Sequence, residues 1–126
     1  MGRMILLLIG LGGAAGSIAR YLLGGAIQGS THLKFPVGTL AVNVVGCITV
    51  GLLWRAFMGN PQERQLHAAL VTGFCGGFTT FSAFSIEAVG LIQGGEWAKA
   101  SAYVLVSVAA GLLGTAIALS KSSSMG

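Results

Sequence analysis

Four long apolar stretches, at about 4–27, 38–58, 66–92 and 98–119, leave this 126-residue chain few ways to fold. Each is long enough to cross the hydrocarbon core of a bilayer, which takes about 20 residues of helix. Inside lipid the backbone must pair with itself, as a helix or as a closed barrel. A barrel strand would show about ten residues of alternating polarity. These stretches are longer and do not alternate, so they predict four transmembrane helices. The charge content agrees. Only 8% of residues are charged, seven Lys or Arg and three Glu with no Asp, while 54% are hydrophobic. A soluble domain carries about 25% charged residues, so this chain lacks the polar side chains to cover a soluble surface. Disorder is excluded by the same hydrophobicity. Collagen is excluded because the 21 Gly follow no G-X-Y period and only two Pro are present.

The connections are short and polar. Residues 29–36 contain Ser30, Thr31, His32 and Lys34 and end at Pro36. Gly59-Asn60-Pro61 and Gly94-Gly95-Glu96 are turn sequences. Trp54 and Trp97 fall at predicted helix ends, where aromatic belts sit. The domain is therefore one four-helix unit over 1–120, followed by a Ser-rich tail at 121–126 that reads as disordered or tag-derived. Cys47 and Cys75 lie in apolar segments with no ligand spacing around them, and read as buried, inert thiols.

The net charge of +4 does not point to nucleic acid, because the basic residues are scattered singly. It does bear on orientation. Four spans place Arg3, Arg55, Arg64 and Lys121 on one side, and Lys34 and Lys99 on the other, joined by Arg20 if it reaches the interface. Four against three, with Arg20 counted, is almost no bias under the positive-inside rule. A chain so balanced can insert both ways, and two opposed copies can pair as an antiparallel homodimer.

Gly12 and Gly16 on the first helix, and Gly73 and Gly77 on the third, form G-x-x-x-G pairs that let helix backbones approach closely. Gly10 to Ala15 also satisfies a dinucleotide-binding pattern. That reading fails because the first acidic residue is Glu63, far beyond the spacing a ribose contact needs. The third segment is the most unusual. Residues 72–85 hold three Gly, four Phe and five hydroxyl residues. Gly76-Gly77 followed by Thr79-Thr80 is poor helix material, so a break near mid-membrane is expected across 76–80. Breaks are tolerated only where freed carbonyls meet protein, water or an ion.

Other polar groups line up. Tyr103, Ser107, Gly111 and Thr115 recur every four residues, so they share one face of the last helix. Asn43 stands alone in the second helix, a turn after Thr39. Arg20 and Glu87 are the ionisable groups well inside predicted spans, where such groups are costly. The inventory is rich in donors and nearly free of acids, which suits an anion better than a cation. Phe rings add positive edges. No nucleophile–base pair or metal triad is visible, so an enzyme is not expected.

Gly12 to Tyr21, Gly38 to Gly46 and Thr72 to Ser85 resemble, in order, three sequence blocks of the Fluc (CrcB) fluoride channels. The likeness covers nearly the whole chain. It implies a passive, highly selective fluoride channel in the cell inner (plasma) membrane that lets fluoride leave the cytoplasm. It further implies an antiparallel, dual-topology homodimer with two pores along the subunit interface. By motif match, Asn43 would donate its amide to fluoride, Phe81 and Phe84 would turn ring edges toward it, and Arg20 would supply positive charge in the vestibule. One structural Na⁺ at the dimer centre would be held by backbone carbonyls of Gly76 and Thr79 from both subunits. Thr80, Ser82, Tyr103, Ser107 and Thr115 would be candidates for a hydroxyl-lined path, with Glu87 near it. The sequence departs from many relatives at Ala83, where a Thr is common, and at Gly111, where some carry a hydroxyl. Two other classes compete. A proton-coupled exporter of organic cations needs a buried acid, for which Glu87 is the one candidate. A purely structural bundle would leave the break and the aligned hydroxyls without a use.

Overall fold

A computed structural model describes residues 2–124, with side chains through Ser120. Helix α1 spans Gly2–Gly29 and α2 spans Val37–Phe57. A 3₁₀ turn at Pro61–Glu63 leads into the third span. That span comprises α3 (Arg64–His67), a π-helical stretch (Ala68–Cys75), α4 (Gly76–Phe78) and, after an interruption, α5 (Phe81–Gln93). Helix α6 spans Trp97–Ser124. Among the described residues, four helical spans are long and apolar enough to cross a membrane: Gly2–Gly29, Val37–Phe57, Pro61–Gln93 and Trp97–Ser120. Each predicted span falls on one of them, with ends displaced by a few residues. Of the expected tail, residues 125 and 126 lie outside the described residues.

The ends have local causes. Pro36 has no N–H and cannot sit inside the ladder of α2, so it stands just before it. The amide of Gln28, on α1, fastens this start. Its Nε2 donates to the Phe35 carbonyl at 3.0 Å, and its Oε1 accepts from the Gly38 N–H at 3.0 Å. Gly59 (φ 75°) and Gly95 (φ 77°) take left-handed conformations after α2 and α5 that a side chain would strain.

The bundle is inside out relative to a soluble domain. Leu6, Leu11, Leu105, Leu112 and Ile117 face outward, while Tyr103 and Val42 are fully enclosed. Helix α1 packs on the π-helical stretch, and α2 packs on α6. The two predicted glycine pairs meet each other. A Cβ at Gly12 would fall on the Ala69 carbonyl, and one at Gly16 on the Phe74 carbonyl. From the other side, a Cβ at Gly73 would lie 2.8 Å from the Ile9 carbonyl, and one at Gly77 on the Gly13 carbonyl. Without a hydrophobic drive between helices in lipid, such close backbone contact is what holds them together.

The interruption is narrower than the sequence suggests. Gly76 and Gly77 stay helical; the extended residues are Thr79 (ψ 155°) and Thr80 (φ −148°, ψ 118°). Gly77 is pressed against α1, so helical packing uses the missing side chain and backbone freedom is not exercised there. The eight π-helical residues before it carry no sequence signature that we recognise. Such widened turns often occur near functional sites.

Candidate functional site: the interrupted third span

Two extended threonines release four carbonyls and four N–H groups from the helix ladder, and neighbours take up several of them. In a continuous helix the Thr80 N–H would close on the Gly76 carbonyl. Here it donates to Asn43 Oδ1 at 2.8 Å, while Asn43 Nδ2 donates back to the Thr80 carbonyl at 3.1 Å. The lone Asn of α2 thus straps both backbone groups of one residue. Arg20 reaches from α1 and donates Nε to the Gly77 carbonyl at 3.0 Å, where a continuous helix would have placed the Phe81 N–H. It does not snorkel to a helix end. The Ala83 N–H is capped by Thr80 Oγ1 at 3.1 Å, which makes Thr80 the N-cap of α5. The Thr79 N–H and hydroxyl both return to the Cys75 carbonyl, at 3.0 and 2.9 Å, and close the first arm.

A cavity of about 420 Å³ opens beside the break. Asn43, Thr79, Thr80, Phe81, Phe84 and Ser107 are among the residues that line it. Ser107 Oγ is buried there and makes no hydrogen bond, alone in this among the described side chains. A buried hydroxyl without a partner costs about 1–3 kcal/mol, so this atom is an unmet donor enclosed in the wall of the cavity. The Phe81 and Phe84 rings stand 5.5 Å apart at 47°. Phe81 is 79% exposed, with its ring outside the packed chain. Asn43 keeps a second amide hydrogen beyond the one given to Thr80.

A second cavity, of about 500 Å³, shares Thr80 with the first and is lined by Arg20, Thr39 and Glu87 among others. Glu87 is clamped. The Thr39 hydroxyl donates to its Oε2 at 3.0 Å and the Tyr103 hydroxyl to its Oε1 at 3.2 Å. The sequence marks Thr39 only by its place a turn before Asn43, and its tie to α5 needed the fold. Ser82 Oγ lies 3.2 Å from Thr80 Oγ1. Thr115 is elsewhere. Its hydroxyl donates to the Cys47 carbonyl at 2.8 Å, in the α2–α6 seam where Gly51 packs on Ala118. The face of α6 expected from the four-residue spacing is real, but its members differ: Tyr103 ties down Glu87, Ser107 faces the cavity, and Thr115 joins helices.

No group of three or more His, Cys, Asp or Glu side chains comes together among the described residues. Gly76 is exposed and a Cβ there would meet nothing within 4 Å. Its carbonyl has lost its ladder donor to Asn43. Neutral carbonyl oxygens of this sort suit a hard monovalent cation, and side-chain ligands are not required.

Four spans, an interrupted third helix and donors gathered around the interruption define a small polytopic membrane protein built around a polar break. Comparison with known proteins places it further. Residues 7–119 match the family model described as CrcB-like protein, Camphor Resistance (CrcB), and the chain belongs to that family. Curated relatives named "Fluoride-specific ion channel FluC" are similar over most of their length. The Geobacter sulfurreducens protein is 46% identical over 111 residues, covering 87% of this chain and 90% of the relative. The Pseudomonas fluorescens Pf-5 protein is 40% identical over 117 residues, covering 92% and 94%. The Rhodococcus jostii protein named FluC 2 is 46% identical over 109 residues, covering 86% and 90%.

Proposed function

We propose that this chain is a passive fluoride-selective channel of the cell membrane, through which fluoride leaves the cytoplasm down its gradient. The observation that carries the reading is one cavity beside the break that Asn43, Phe81, Phe84 and Ser107 line together, with the Ser107 hydroxyl left without a partner in its wall. Fluoride is small and strongly hydrated, and it must exchange several water donors at once for fixed ones. An amide hydrogen, a hydroxyl and positive ring edges supply such donors. Their rigidity comes from the same bonds that strap the break.

The functional unit is an antiparallel, dual-topology homodimer with two pores at its interface. The exposed Phe81 ring and the open face at Gly76 support this, since both want a second copy. A single structural Na⁺ at the dimer centre would be held by the Gly76 and Thr79 carbonyls of both subunits. It would neutralise carbonyl dipoles freed by the break and would not travel with the anion.

The test is efflux from liposomes holding purified protein, read with a fluoride electrode after valinomycin is added. Parallel chloride-loaded vesicles are read with a chloride electrode. Fast valinomycin-dependent fluoride release with chloride retained is the expected result. Absence of fluoride release from dimeric, reconstituted protein would overturn the reading.

A further inference from the structure

A third cavity, of about 430 Å³, lies where the α1–α2 and α5–α6 connections come together. Its lining includes Lys34, Phe35, Glu87, Glu96 and Lys99. Two features join it to the break. Gln28 and Glu87 line both this cavity and the second one, and Thr80 lines both the second and the first. A row of rings runs the same way. Phe35 meets Tyr103 edge-on at 5.6 Å, Tyr103 meets Phe84 at 5.1 Å, and Phe84 meets Phe81 at 5.5 Å.

The charges along this route do not all favour an anion. Glu87 stands at the junction of two cavities and its two hydrogen-bond partners are neutral hydroxyls. Its oxygens are held as acceptors and offer an arriving anion no donor. Outside it, Lys34 and Lys99 bring two positive charges to the rim. Lys99 is partly checked by Glu96, whose Oε2 lies 3.7 Å from its Nζ, with both side chains about half exposed at 43% and 52%. The positive ends of α2 and α6 open on the same rim and add to this field.

We propose that Lys34 and Lys99 act as an electrostatic funnel that concentrates fluoride at this mouth, with Glu96 setting its strength. This rests on the channel reading above. The lysines need touch no anion for long; they raise its local concentration, as oppositely charged clefts do for other ligands.

The test is fluoride flux at low fluoride through vesicles of neutral lipid, at ionic strengths set by an impermeant salt. The screening length falls from about 30 Å at about 10 mM to about 3 Å at about 1 M. With Lys34→Gln and Lys99→Gln combined, flux should drop about threefold or more at the low setting. It should come within about a factor of two of the unaltered protein at the high setting. Glu96→Gln should move the other way, raising low-salt flux and leaving high-salt flux alone. A deficit in the double variant that persists at high salt would assign the lysines a packing role and overturn the proposal. So would no deficit at all, or a Glu96→Gln loss at low salt. Failure of the unaltered protein to conduct fluoride is a separate result, and it would sink the channel reading itself.

Discussion

The two arms of the third span are held by different physics. The first arm, through Phe78, is fixed by backbone on backbone, with Gly73 and Gly77 set against Gly12, Gly13 and Ile9 of α1. The second arm, α5, has little such packing. Phe81, Ile86 and Val89 face outward, and its internal anchor is the Glu87 carboxylate between Thr39 of α2 and Tyr103 of α6. Between the arms, Asn43 and Arg20 hold the exposed backbone. A bundle in lipid gains nothing from apolar contact between helices. Steric fit therefore secures one arm and hydrogen bonding the other. The mobile-looking part of such a helix is made rigid where an ion would need it.

The largest effect should come from crowding the first arm. Gly16→Leu would drive a side chain into the Phe74 carbonyl and the Phe78 N–H. Overpacking of this kind costs about 3 kcal/mol or more where backbone is the obstacle. We expect loss of folded protein in detergent, read by size-exclusion chromatography and thermal melting. A well-folded Gly16→Leu protein would mean that this seam is not the foundation of the fold.

Asn43→Ala attacks the strap between the arms. It strands the Thr80 N–H, at about 1–3 kcal/mol for a buried group left unmet, and removes one of the bonds to the Thr80 carbonyl. It should lower the melting temperature and cut fluoride flux at least about tenfold, since the proposed anion donor and the geometry of the rest go together. Phe81→Ile separates the two consequences. The ring is outside the packed chain, so the subunit should fold as before. Fluoride flux should nevertheless be abolished or crippled, and unchanged efflux would remove Phe81 from the path.

Much of this was legible in the sequence, and the residues show why. The spans followed from segment length and the scarcity of charge, which the bilayer enforces without regard to detail. The glycine pairs at 12/16 and 73/77 were visible because a four-residue spacing on a helix is a geometric fact. That the pairs face each other was not, since spacing names a face and not its partner. Propensity spreads the break across 76–80, yet packing keeps Gly76 and Gly77 helical and narrows the extension to Thr79 and Thr80. Thr115 and Ser107 were indistinguishable by register. Only the seam with α2 shows that one hydroxyl meets the Cys47 carbonyl while the other meets nothing. Gln28 carried no signal beyond being polar near a span's end, although it fastens the start of α2.

The second arm can be tested apart from the first with Glu87→Gln. The amide keeps one acceptor oxygen, but it presents an NH₂ where a hydroxyl now donates. Hydrogen bonds to a charged group contribute about 1.5–3 kcal/mol, so a loss of about 2 kcal/mol or less in stability is expected. Fluoride flux should persist, because an anchor can be weakened without closing a passive path. A proton-coupled exporter would instead lose all transport with its one candidate acid, and that outcome would reverse the choice between the two classes.

The smallest expected effect distinguishes a path hydroxyl from a packing one. Thr115→Val keeps the shape and removes the bond to the Cys47 carbonyl, at a cost of about 1 kcal/mol. If Thr115 serves the α2–α6 seam, melting shifts slightly and flux changes by less than about twofold. Ser107→Ala should show the converse. Its hydroxyl has no partner in the chain, so removing it relieves an unmet buried donor and leaves stability equal or higher, while fluoride flux falls. Equal flux losses in the two variants would return Thr115 to the conducting path and make the whole polar face of α6, from Tyr103 down, a single functional row.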